Sequence, residues 1–164
     1  MKKLSAFSIT TNQITTGAII AALYAVLTIL LAPISYGPVQ FRVSEALCIL
    51  PIFTPAAVPG LFIGCIISNL FNPAASLIDI IFGSLATLIA ALLTRKLRGN
   101  VWLATLPPVI LNGLIVGFIL YYQFALPLFA TMGQVALGEL GVLYFLGVPL
   151  YFLLKNQRAE RWIK

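Results

Sequence analysis

The sequence predicts an all-α integral membrane protein: a compact six-transmembrane-helix bundle with two short helices (2 and 3) and both termini cytoplasmic. Three observations carry that prediction. Of 164 residues, 61% are hydrophobic and 9% charged, and the mean hydropathy is +1.06; a chain this small cannot cover itself with polar surface, so lipid solvates most of it. Four apolar runs, residues 14–32, 74–93, 101–122 and 134–154, are long enough to cross a hydrocarbon core of ~30 Å. A fifth apolar region, 46–71, exceeds one span and is interrupted by Pro51, Pro55 and Pro59.

Helix 1 follows "MKKLSAFSITTNQ", which is basic and polar. The apolar run behind it has no small-residue cleavage site, so helix 1 is read as retained. Proline removes an amide donor and clashes one turn back, so "PIFTPAAVPG" separates helix 2, about 42–53, from helix 3, about 58–71. Each is only ~20 Å long; the pair either crosses a thinned, protein-lined region or forms a re-entrant hairpin. The basic residues set the count, because Lys and Arg accumulate in cytoplasmic loops. Lys2 and Lys3 precede helix 1, Arg95, Lys96 and Arg98 follow helix 4, and Lys155, Arg158, Arg161 and Lys164 close the chain. Five spans would put "RKLR" opposite the N-terminus. Six gather nine of the ten basic residues inside and leave only Arg42 out. The tail "KNQRAERWIK" reads as a topological anchor, with Trp162 in the headgroup layer. No repeat or linker interrupts the chain, so residues 1–164 are expected to form a single transmembrane domain.

With this topology the polar residues sort by depth. Gln40, Arg42 and Glu45, in "GPVQFRVSEAL", lie at the outer end of helix 2. Asn69 and Asn72 end helix 3 there, Asp79 is in the first turn of helix 4, and Tyr121, Tyr122 and Gln123 close helix 5. Glu139 is in the second turn of helix 6, and Asn112 is near the midplane. Ionisable groups in spans face a partner or a cavity. Three carboxylates with one arginine suit a ligand rich in hydrogen-bond donors or carrying a positive charge. Tyr36, Phe41, Tyr121, Tyr122 and Phe124 are aromatic walls for a flat ring. Each polar residue also has a purely structural reading. Ser76–Asp79 fits a capping box; Arg42 and Glu45, one turn apart, can pair with each other; Asn69 and Asn72 fit a helix stop and turn; Asn112 fits interhelical hydrogen bonding. Glu139, in "ALGELGVL", has no basic residue in its own helix before Lys155 and needs a partner from elsewhere or a ligand.

Helix 1, "TTGAIIAALYAVLT", carries one small stripe of Gly17, Ala21 and Ala25 and a neighbouring one of Ala18 and Ala22. Small residues every four positions let a second helix approach closely in lipid, either within the chain or from another subunit. Several chemistries are unsupported. There is no GxxxxGK[ST] loop and no histidine, so neither phosphate-loop hydrolysis nor a histidine-activated serine is available. Cys48 and Cys65, 17 residues apart in apolar runs, read as reduced packing residues. No metal site, cofactor or nucleic-acid platform is expected, and an enzyme is a poor reading.

The strings "GPVQFRVSEALCILP", "NLFNP", "PVILNGLIVGFILYY" and "GELGVLYFLGVPLY" resemble the QueT transporter family over about residues 9–154. These are S components of energy-coupling factor (ECF) transporters, associated with uptake of queuosine precursors. The resemblance implies six helices, cytoplasmic termini in the cell membrane and a ligand pocket near the outer surface. It also implies an energising module of a shared transmembrane coupling subunit and two ATPases, with Ala18–Ala22 and Ala21–Ala25 on the docking surface. A deazaguanine base presents a ring N–H and an exocyclic amine, a donor pair that a carboxylate accepts well. Glu139 or Glu45 would take that edge, with Asn72, Asn112 or Gln40 completing it. Arg42 would orient Glu45 or gate the 33–40 loop. The competing reading is a self-sufficient secondary carrier for a small polar or cationic metabolite, with Glu139 or Asp79 as a proton site; a scaffold without ligand predicts no pocket.

Overall fold

The computed structural model describes residues 10–36 and 40–156, and every regular element among them is helical. The basic residues 2, 3, 158, 161 and 164, Trp162 and positions 37–39 of the loop lie outside the described residues.

Helix α1, Thr11–Leu30, starts at a capping box. Gln13 N donates to Thr10 Oγ1 at 3.3 Å and Thr10 N donates to Gln13 Oε1 at 3.2 Å, which satisfies two amides a helix start leaves open. A one-turn helix α2, Ala32–Ser35, follows. The next segment, Val43–Ile52, differs from the expected α-helix: it is a 3₁₀ helix with Pro51 inside it. The tighter winding rises ~2.0 Å per residue, so ten residues reach ~20 Å, where an α-helix of that length reaches ~15 Å.

Helix α3, Ala57–Leu70, is short as its prolines predict. Helix α4, Ser84–Lys96, is entered through a π-helical turn, Asp79–Gly83. Helix α5, Val101–Phe124, is capped by Asn100, whose Oδ1 accepts from Trp102 N at 3.0 Å and Leu103 N at 3.4 Å. It carries a π-turn at Asn112–Val116 and ends at Ala125 in the left-handed region (φ 51). Helix α6, Leu128–Asn156, has a third π-turn at Leu143–Gly147. It begins six residues earlier than the expected 134, so Glu139 sits about three turns into the helix. Helices α1, α5 and α6 are long and apolar enough to cross a membrane.

Two helix pairs are brought together by glycine. A Cβ on Gly60 would stand 2.7 Å from Gly17 O, and one on Gly64 2.8 Å from Tyr24 Cβ, so α1 and α3 meet backbone to backbone. On the other side, a Cβ on Gly117 would stand 2.7 Å from Met132 Cα and one on Gly113 2.9 Å from Ala136 Cβ, which joins α5 to α6. The 3₁₀ helix runs between these pairs and touches α1, α3, α4, α5 and α6. Below its first turn, Tyr24, Cys48, Leu61, Cys65, Ala91, Val109 and Leu143 form the buried apolar core.

The two ends of the bundle differ. At one, Arg95 Nη1 donates to Pro51 O at 3.0 Å, and Arg95, Lys96 and Lys155 lie near the start of α5 and the end of α6. At the other, Arg42, Asn69, Asp79 and Gln123 are tied together. The candidate site belongs to this polar end.

Candidate functional site

Arg42 and Glu45 face different partners. Arg42, 8% exposed, donates from Nη2 to Asn69 Oδ1 at 3.0 Å and from Nε to Ser35 O at 3.4 Å. Its guanidinium lies 5.7 Å from the centroid of the Tyr36 ring, and Tyr36 Oη donates to Ser68 O at 2.6 Å. One fixed cation thus joins α2, the start of the 3₁₀ helix and α3. Asn69 spends its amide on Asp79 O at 3.3 Å and Cys65 Sγ at 3.6 Å. Gln40, buried two residues before Arg42, holds a left-handed backbone (φ 47), and its carbonyl accepts from Arg42 N at 2.9 Å. A long side chain in that region of φ is uncommon and stands where the surroundings hold it.

Glu45, 1% exposed, takes its donors from Tyr24 and Cys48. Tyr24 Oη donates to Oε1, and Cys48 Sγ donates to Oε2 at 2.9 Å. Next to it, Thr28 Oγ1 and Ser44 Oγ share a 2.6 Å hydrogen bond, so α1 and the 3₁₀ helix are joined by a polar seam. Glu139, 4% exposed, comes from α6 to the same region. Asn112 lies beside its carboxyl, and the charges of Glu45 and Arg42 act on it. Its Oε1 has no hydrogen-bond partner, and among the described residues Ser35 Oγ and Ser84 Oγ are buried in the same condition. A buried carboxyl oxygen without a donor is costly.

The remaining expected residues serve otherwise. Asp79 Oδ2 accepts from Ser76 N at 2.9 Å, from Ser76 Oγ at 3.2 Å and from Gln123 Nε2, and Asp79 N donates to Ser76 Oγ at 3.4 Å: a capping box stapled to α5. Asn72 Oδ1 accepts from Ala74 N at 3.0 Å, an Asx turn. Tyr121, 39% exposed, packs at a tilt against Phe118 with centroids 6.0 Å apart; Tyr122 and Phe124 also face outward. On α1, Gly17, Ala21 and Ala25 are buried inside the chain, whereas Ala18 and Ala22 are exposed. Among the described residues no cluster of His, Cys, Asp or Glu is arranged to hold a metal.

Residues 14–156 match the family model described as QueT transporter. The chain belongs to the QueT transporter family. A relative, the queuosine precursor transporter QueT of Lactococcus lactis subsp. cremoris (strain MG1363), is 36% identical over 149 residues, 82% of this chain and 87% of that protein. No solved structure matches the chain.

In this QueT-family chain, the polar end contains groups that pattern reading passed over. Tyr24 and Cys48 sit in apolar surroundings and look like packing residues, yet both donate to Glu45. Asn69 is the asparagine that joins Arg42 to Asp79, while Asn72 shapes a turn. The signal for Tyr24 is its position: it is the sole hydroxyl-bearing aromatic in the apolar α1 run, and such a hydroxyl seeks a partner when buried.

Proposed function

We propose that this chain is the substrate-binding S component of an ECF-type importer in the cell membrane, taking up a queuosine precursor of the deazaguanine type. In this reading it spans the membrane with six helices as one domain, the basic end and both termini are cytoplasmic, and the polar end faces outward. Family membership and the name of the lactococcal relative support the substrate class. The energising module, a coupling subunit with two ATPases, follows from the resemblance to S components. For docking it, the outward-facing Ala18 and Ala22 offer the small surface left on α1.

The single observation behind the chemistry is the Glu139 carboxyl, buried with Oε1 unclaimed. Ionised, it accepts the ring N–H and exocyclic amine of a guanine-like edge as a charge-assisted pair. Asn112, beside it, offers both an amide donor and an acceptor to the neighbouring atoms. Glu45, with its oxygens already engaged, supplies negative potential that favours an aminomethyl arm. Arg42 acts on the site by holding the corner formed by Ser35, Tyr36 and Asn69. The same unclaimed carboxyl also suits a proton site in a self-sufficient carrier. Uptake assays separate the two: an S component accumulates substrate only with the coupling subunit and ATPases present, and a carrier accumulates it alone and loses activity when the proton gradient collapses.

A further inference from the structure

The helices carry one polar layer directly above the apolar core. In the core cluster, Cys48, Cys65, Leu88, Val109 and Leu143 pack together. One turn toward the polar end from each stands Glu45, Asn69, Ser84, Asn112 and Glu139 respectively. The spacings are three or four residues, which keep a side chain on the same face of its helix. All five of these polar residues are buried. Ser84 is therefore in register with Glu139, although it is on α4 and nothing in its local sequence marks it.

The Ser84 hydroxyl differs from several others in this chain. Thr28 bonds back to Tyr24 O at 2.8 Å, Thr87 to Gly83 O at 3.2 Å and Thr131 to Pro127 O at 2.8 Å, each one turn earlier. Ser84, 1% exposed, makes no such bond, and its Oγ has no partner. It follows directly on the π-turn Asp79–Gly83, a widened turn of the kind that recurs at functional sites. Of the other donors in or beside the layer, Tyr24 and Cys48 are engaged on Glu45, the Asn69 amide on Asp79 O, and the Asn112 amide stands beside the Glu139 carboxyl.

We infer that Ser84 is a specificity-determining contact for the transported base, its hydroxyl donating to the ring oxo group next to the edge held by Glu139. The inference rests on the deazaguanine reading above and adds a second, oppositely polarised contact to it. A guanine-like edge places one acceptor oxo group beside two adjacent donors; the two unclaimed buried groups of the layer are a hydroxyl donor and a carboxylate acceptor. A base with an amine in place of the oxo group would leave two donors facing each other and be rejected.

The test is titration of purified chain in detergent with 7-aminomethyl-7-deazaguanine and with its 6-thio analogue, which keeps both donors but accepts poorly at sulfur. Ser84→Ala is expected to weaken the oxo ligand roughly tenfold and the thio ligand far less. The ligand-free melting temperature should hold or rise, because a buried hydroxyl without a partner is removed. Ser84→Cys, similar in size and a weak donor, should fall between. Unchanged affinity in both variants, or an equal loss for the two ligands, overturns the assignment. So does a lowered ligand-free melting temperature with the ligand-induced shift intact. If wild type binds and only Glu139→Gln loses the ligand, the Ser84 contact fails while the substrate reading stands; if wild type binds neither base, both fall.

Discussion

Arg42 and Glu45 are one turn apart in an oily stretch, close enough for an ion pair, yet each is satisfied by neutral groups. A guanidinium has five donors in a fixed fork and can join several acceptors at once; here it links Ser35, Asn69 and the Tyr36 ring. The carboxylate is left to the Tyr24 hydroxyl and the Cys48 thiol. Sequence shows that these charges need partners but not which, because the Tyr24 donor comes from α1 and the Asn69 acceptor from α3, far away in the chain. Tyr24→Phe should strand Glu45 Oε1 and cost about 1–3 kcal/mol of stability; thermal unfolding in detergent reads this, and an unshifted transition would contradict the geometry. Arg42→Lys keeps the charge but loses the fork, so it should also lower the transition, and Arg42→Ala should lower it further.

At the scale of elements, three of the four long apolar runs and the proline break were legible, since bilayer thickness and the missing proline amide act locally; the remaining run, 74–93, gives the shorter α4 behind its π-turn. The 3₁₀ winding of Val43–Ile52 was not: it serves contacts on all sides of that helix, which no local pattern encodes. The early start of α6 was hidden by "LFATMGQ", whose Thr131 and Gly133 dilute the hydropathy signal. The small stripe on helix 1 was visible, but the helix it meets was not. The stripe meets the Gly60 and Gly64 pair of α3, at the same four-residue spacing as Gly17 and Ala21. Gly64→Ala should therefore push α1 away, since the new Cβ would be 2.9 Å from Ala21 O, and should lower the melting temperature sharply. Gly133→Ala meets nothing within 4 Å and should be neutral or stabilise by up to about 1 kcal/mol through helix propensity. Equal effects of the two substitutions would contradict the α1–α3 contact.

For the whole molecule, the described residues divide into a basic end and a buried polar end; in the proposed function the basic end is cytoplasmic and the unclaimed groups of the polar layer take the ligand. Three of the expected site residues, Glu45, Asn112 and Glu139, converge there; Asp79, Asn72 and Tyr121 serve a cap, a turn and a tilted ring contact. Which residues are polar and buried was readable from sequence, but the depth of Glu139, six residues further into its helix than expected, and rotation about each helix axis were not, and rotation decides which residues meet. In cells, uptake of 7-aminomethyl-7-deazaguanine should require the coupling subunit and ATPases in addition to this chain. The most direct test of the account is calorimetric titration of that base onto the purified chain and its Glu139→Gln variant, with folding of both checked by thermal unfolding. The prediction is saturable binding by wild type and roughly a 30- to 100-fold loss in the variant, the size of a charge-assisted hydrogen bond left unmade. Equal affinity in the two proteins would contradict it.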